Sequence, residues 1–233
     1  MAVAIQLEGT TDYEPCHQAM EALVDARAQG RVPDVILLVE HAATITVGRA
    51  RHASNNVLDA GPLPVVPVAR GGDVTVHGPG QLVAYPIIAL PEGRRDLMAH
   101  LRHLEQAVID LLSDLGLSPL RDPRNTGVWL PRSGGRPKKV AAVGIACRRW
   151  VTWHGLALNL QIDLANFERV HPCGMDLDAV TRLADHLDPC PVPAALAPAL
   201  VPYLARHLGV SIEGPVRVEA SPAAALAGLG VQR

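Results

Sequence analysis

Lysine is almost missing from this chain. Of 21 basic residues only Lys138 and Lys139 are lysines, and the rest are arginines. Aromatics are scarce as well: one Phe, three Trp and three Tyr leave little material for the stacking platforms that hold single-stranded nucleic acid. Basic residues do not outnumber acidic ones; the formal charge is −2 and the isoelectric point near 6.5, so no general attraction to a polyanion is expected, and no acidic tail is present. Nucleic-acid binding is therefore disfavoured. No apolar run reaches the ~18 residues of a membrane span. Met1-Ala2-Val3-Ala4-Ile5 lacks the basic start and long apolar stretch of a signal peptide. Cys16, Cys147, Cys173 and Cys190 are scattered without a Cys-x-x-Cys pair. That argues against a zinc knuckle or redox motif, and predicts free thiols in a reducing cytoplasm. The Gly-x-x-x-x-Gly-Lys-Ser/Thr phosphate loop is also missing.

What is present is enough hydrophobic material for a substantial core, 48% of 233 residues. Val3 to Leu7 reads as a strand. Asp12 caps a helix to about Gln29, with Ala19, Leu23 and Ala26 at helical spacing. Val35 to Val39 and Thr44 to Val47 read as strands, Arg51 to Ala60 as a loop, and Val65 to Ala69 as an edge or bulged strand because of Pro67. Gln81 to Leu90 is an apolar strand. Asp96 starts a helix to Leu115 whose stripe Leu97, Leu101, Leu104, Val108, Leu111 and Leu115 is core. Thr126 to Leu130 is a strand. Lys139 to Cys147 and Trp150 to Leu160 pair as a hairpin around Arg148-Arg149. A short helix is expected over Ala179 to Leu187, and a second over Ala194 to His207, interrupted near Pro198 and Pro202. The Ala- and Gly-rich tail from Pro215 is expected to be weakly ordered. Strand runs with a few helices predict an α+β domain with mixed β-sheets flanked by helices. The expected division is 1–187 for the catalytic domain and 188–233 for a C-terminal helical subregion and tail.

Two stretches carry chemistry. The first is Arg70-Gly71-Gly72-Asp73-Val74-Thr75-Val76-His77-Gly78-Pro79-Gly80-Gln81. Its glycines let the backbone approach a ligand closely, and Arg70, Thr75, His77 and Gln81 supply polar groups. A simple Gly-Gly hairpin does not need Arg, His and Gln beside it. The second runs from Lys139 to Cys173. Arg is always charged, whereas a Lys amine gives up its proton in a suitable site. Lys139 therefore either does acid–base chemistry or is an ordinary surface residue, and its rarity alone leaves both open. Cys173 stands between Pro172 and Gly174, a setting that presents a thiol on a turn, although a buried, inert cysteine is the alternative. A thiolate is a strong nucleophile, and a nearby cation lowers a thiol pKa from ~8.5 into the range ~3.5–7.5.

Three separated motifs together resemble the lipoyl(octanoyl) transferases, relatives of the biotin and lipoate protein ligases. They are Arg70-Gly71-Gly72-x-x-Thr75-x-His77-x-x-Gly80-Gln81-x-x-x-Tyr85, then Lys139-Val140-Ala141-Ala142-Val143-Gly144, then His154-Gly155-Leu156-Ala157-Leu158-Asn159 followed by Pro172-Cys173-Gly174. The resemblance covers roughly residues 1 to 187. The chain departs from it at Val76, where the family usually has an aromatic. The resemblance implies a biotin/lipoate ligase type of α+β fold and transfer of an octanoyl group in lipoate biosynthesis, with no cofactor and no metal. The implied donor is octanoyl-acyl carrier protein. The implied acceptors are lipoyl domains of 2-oxoacid dehydrogenase E2 subunits and of glycine cleavage H protein, served by a monomer.

In this comparison Cys173 is the acyl-thioester nucleophile and Lys139 its proton-moving neighbour. The substrate site is lined by Arg70, Gly71, Gly72, Asp73, Val74, Thr75, Val76 and His77, by Ala142, Val143 and Gly144, and by Gly155, Leu156 and Ala157. Gln81, Tyr85, His154 and Asn159 support it. Backbone N–H groups of Gly144, Gly155 or Gly174 are candidates for the oxyanion site. An ATP-dependent lipoate ligase of the same fold, a thiol hydrolase and a catalytically silent binder of lipoyl domains are the competing readings.

Overall fold

The computed structural model describes residues 1–123, 125–171 and 179–232. Eight strands form the main sheet in the order β11-β1-β2-β6-β10-β9-β8-β7: β1 is Ala2–Thr11, β2 Asp34–His41, β6 Gln81–Ala89, β7 Leu120–Asp122, β8 Asn125–Leu130, β9 Lys138–Arg148, β10 Val151–Asn159 and β11 Arg217–Glu219. The central strands β2, β6 and β10 are apolar and buried along nearly their whole length, as strands covered on both faces must be. β1 runs parallel to β2 and β11; the remaining pairs are antiparallel. The parallel β1–β2 pair needs a crossover, and helix α1 (Tyr13–Ala28) provides it. A second sheet has the order β4 (Val65–Pro67), β3 (Thr44–Val47), β5 (Val74–His77). Pro67 is confined to the edge strand, where its missing N–H costs no ladder bond.

Helices cover both faces of the main sheet. On one face α1 packs Met20, Leu23 and Val24 over Val35, Leu37 and Ile87. On the other, α2 (Leu97–Asp114) and α3 (Pro193–Leu208) pack Leu104, Val108, Leu111, Leu200 and Leu204 over Ile36, Leu82 and Leu158. Asp96 caps α2, its carboxylate accepting from Met98 and Ala99 N–H. No helix among the described residues is long and apolar enough to cross a membrane.

Several sequence expectations need correction. The two ends of the α2 stripe are not core: Leu97 is 37% and Leu115 36% exposed, because only the middle turns lie over the sheet. The hairpin turn is Arg149-Trp150, one residue later than expected, with φ of 54° and 61°. Helix α3 is continuous through Pro198 and Pro202. An interior proline costs about 3 kcal/mol, but four leucines of α3 are buried at about 1.5–3 kcal/mol each. Over 179–187 there is a single short 3-10 turn, Leu183–Asp185. The tail is ordered: β11 extends the main sheet beside Ile5 to Leu7, and helix α4 (Pro222–Gly228) buries Ala225 and Leu226 in the α1 core. Residues beyond 187 thus share both cores with those before it.

Candidate active site

Where β5 passes into β6, and β10 runs beside β9, the chain walls a cleft of about 870 Å3 measured out to its open mouth. Arg70, Gly71, Gly72, Asp73, Val74, Thr75 and His77 form one wall. The loop is held by Arg70 itself, which is 9% exposed. Its Nη1 donates to Asp73 O at 2.7 Å and its Nη2 to Thr46 Oγ1 at 2.9 Å and Thr46 O at 3.1 Å. Gly71 N–H donates to Ile145 O at 2.9 Å, which ties the loop to β9.

Val76 does not line the cleft; it is wholly buried among Ile45, Phe167 and Val170. Side chains alternate along a strand, so Thr75 and His77 point to the opposite face from Val76. The family departure at this position therefore falls in the core.

Ala142, Val143 and Gly144 from β9, with Gly155, Leu156 and Ala157 from β10, form the facing wall. Gly144 and Gly155 are direct cross-strand partners. A Cβ on Gly144 would lie 3.2 Å from Gly71 O, and one on Gly155 only 2.2 Å from Ala84 O. Both positions need the bare backbone for the strands and loop to close up this far. Lys139 borders the same cleft from β9, with Nζ 4.9 Å from the centre of the Trp129 ring.

Gln81, Tyr85, His154 and Asn159 surround the base of the cleft. His77 Nδ1 donates to Gln81 Oε1 at 2.8 Å. Gln81 Nε2 donates to Asn159 Oδ1 at 2.9 Å, and Asn159 Nδ2 donates to Thr181 O at 3.0 Å. Tyr85 O–H donates to His41 Nε2 at 2.8 Å, since His41 Nδ1 donates to Thr11 O. His154 holds a left-handed backbone, φ 56°, and stacks on Trp153 with ring centres 4.4 Å apart. Its Nε2 is buried with no hydrogen-bond partner among the described residues.

The Lipoyl protein ligase A/B catalytic domain model matches residues 12–205. The chain belongs to that family. It is 44% identical over 172 residues to an octanoyltransferase of Solibacter usitatus, covering 72% of this chain and 76% of that protein. It is 46% identical over 180 residues to an octanoyltransferase of Mycobacterium avium, covering 77% and 76% respectively. The bi-partite lipoate protein ligase of Thermoplasma acidophilum superposes with a TM-score of 0.69 over 99% of this chain and 93% of that one. At 16% identity this likeness concerns the fold, which is the α+β lipoate/biotin ligase type.

In this lipoyl ligase A/B family member, burial sets the charge state of the site. It drives His41 down to about 4, His154 to about 3 and His77 well below its ordinary value; neighbouring imidazoles add to the effect on His77 and His154. All three are neutral at pH 7. The other basic side chains bordering the cleft, among the described residues, are Arg70 and Lys139. No group of three or more potential metal ligands occurs among the described residues.

Cys173, with Pro172 and Gly174, lies outside the described residues. Its described flanks reach the site: Phe167 and Val180 both border the cleft. Sequence reasoning missed these two and also Tyr13, Val83 and Thr126. Phe167 carried a signal, being the one phenylalanine in a chain poor in aromatics. Tyr13 had none, because it enters from the first turn of α1, far from every motif.

Proposed function

We propose that this chain moves an octanoyl group from octanoyl-acyl carrier protein to a lysine of lipoyl domains, by way of a thioester on Cys173. The observation that carries this reading is one cleft that combines an apolar wall with Lys139 and with both flanks of the Cys173 segment. Val83, Val143, Leu156, Ala157, Phe167 and Val180 provide apolar surface for an eight-carbon chain. The activity is that of an acyltransferase in lipoate biosynthesis, the class of the curated octanoyltransferases it resembles. The acceptors fitting the family are the lipoyl domains of 2-oxoacid dehydrogenase E2 subunits and of glycine cleavage H protein.

The chemistry divides into two steps. The Cys173 thiolate attacks the donor thioester carbon; the tetrahedral intermediate collapses with cleavage of the donor C–S bond, and the carrier leaves as a thiol once protonated. Thioester exchange is close to balanced. The acceptor amine, as the free base, then attacks the enzyme thioester. The C–S bond to Cys173 breaks, an amide forms, and the amine proton must be taken up. Amide formation runs downhill, so no nucleotide is consumed. Lys139, which borders the cleft, is assigned to stabilise the thiolate as a cation and to shuttle the proton. The buried imidazoles of His77 and His154, neutral at working pH, shape the base of the cleft.

The test is intact-mass analysis after mixing the protein with octanoyl-carrier protein. The expected result is one octanoyl adduct, removed by hydroxylamine and absent from Cys173→Ser, which also loses transfer to a lipoyl domain. Release of free octanoate without an adduct identifies a hydrolase. Dependence on ATP and free octanoate identifies a ligase. An adduct mapped to Cys16, Cys147 or Cys190 overturns the assignment of the nucleophile.

A further inference from the structure

The two ends of the Cys173 segment are held by hydrogen bonds that trace back to one loop. At the upstream end, His171 N–H donates to Asn56 O at 2.8 Å, and Val170 bridges Val57. The Asn56 side chain turns the other way, and its Nδ2 donates to Asp73 Oδ2 at 2.6 Å. Asp73 belongs to the cleft wall, and its own carbonyl accepts from Arg70. At the downstream end, Lys139 N–H donates to Ala179 O at 2.7 Å, and Thr181 N–H donates to Lys139 O at 3.0 Å. Asn159, 4% exposed, then links Thr181 O through Gln81 to His77. Asp73 immediately precedes β5 and His77 is its last residue. One asparagine side chain at each end thus stands between the acyl cleft and the chain that leads to the thiol.

We propose that Asn56 and Asn159 are positioning residues that register both ends of the Cys173 segment to the wall of the acyl cleft. The inference rests on the reading of Cys173 as the nucleophile. An acyl chain seated against the Arg70–His77 wall then meets a thiol whose two covalent flanks are fixed to that same wall. Asn56 lies outside every motif of the family resemblance, on a loop that supplies no cleft-lining side chain of its own. A misplacement of reacting groups by about 1 Å is enough to cost roughly 100-fold in rate while leaving the binding surface intact.

The experiment measures single-turnover loading of the full-length protein from octanoyl-carrier protein, for Asn56→Ala and Asn159→Ala beside wild type and Cys173→Ala. Each asparagine variant is expected to lower the saturating loading rate by roughly 10–100-fold, with half-saturating donor concentration changed by less than about threefold. Circular dichroism checks that the variants are folded. If Asn159→Ala, which strips a partner from buried Gln81 and Thr181 groups, fails to fold, Asn56→Ala on its half-buried loop decides alone. Wild-type loading, or a loss confined to donor affinity, overturns the inference, as does a loss matched by the unfolded fraction. Cys173→Ala separates the two levels. If it still loads, the nucleophile assignment falls and this inference with it. If it is inert while the folded asparagine variants load normally, the positioning role alone is rejected.

Discussion

Replacing Lys139 with Arg separates the two tasks assigned to this side chain. The charge stays, and charge is what favours the Cys173 thiolate. Arg does not release its proton at working pH, so a shuttle for the acceptor amine is lost. The surroundings set how much the swap disturbs. Nζ rests 4.9 Å from the Trp129 ring centre, and Arg stacks on an aromatic face as well as Lys does. Gly127 opposes the lysine stem, and even a Cβ there would come within 3.3 Å of Lys139 Cε. The bare backbone at residue 127 leaves room beside the stem, and some loss of loading is expected from crowding by a wider, planar head. General-base contributions are typically ~10²–10⁴-fold, so the second step should slow by that range while loading falls by much less. Mass spectrometry should show the variant accumulating octanoyl-enzyme, and a gel-shift assay should show poor modification of a lipoyl domain. Equal losses in both half-reactions would reduce Lys139 to a positioning role. Wild-type rates in both would make it a spectator.

Other expectations follow from the same geometry. Gly155→Ala places a Cβ 2.2 Å from Ala84 O and 2.7 Å from Pro86 Cδ inside the central sheet, and should cost at least 1–3 kcal/mol, read as a lowered denaturation midpoint; a change under about 0.5 kcal/mol would contradict the packing argument. Hexanoyl donors lose two buried methylenes, about 1.6 kcal/mol or ~15-fold in specificity constant, and equal rates from six to twelve carbons would refute an apolar acyl site. Stability should fall on acidification. His41, His77 and His154 are depressed in the folded chain, so below pH ~6.5 the unfolded state binds protons that the folded state does not. Their full stabilisation holds above that value and is lost progressively as pH falls toward the folded values near 4 for His41 and 3 for His154. Thermal melts from pH 7 to 4.5 would show it, and a flat midpoint over that range would place these rings in contact with water.

The parts of the site that were legible in the sequence are those whose function demands several residues in a row. A wall that must approach a ligand with backbone, anchor a cation and feed a strand yields Arg70-Gly71-Gly72 and His77 close together, and these residues do border the cleft. The same holds for Val143-Gly144 and Gly155-Leu156, where opposed strands must lie bare. Val76 was misplaced because a motif is read as a block, whereas a strand sends alternate residues to opposite faces. Asn56 and Tyr13 could not be read, since each serves the site from an element chosen by tertiary pairing rather than by local pattern. The errors in α3 and the tail have a related cause. Pro198 and Pro202 disfavour a helix by local propensity, and the short strand of the tail has no apolar pattern of its own; the sheet beneath them, at Ile36, Leu82 and Leu158 for α3 and at Ile5 and Leu7 for the tail, makes a continuous helix and an ordered strand the lower-energy outcome. Local chemistry thus names groups that border the cleft, while the sheet decides which distant side chains hold them. That division is why a half-buried asparagine outside every motif is the sharpest place to test the proposed placement of the thiol.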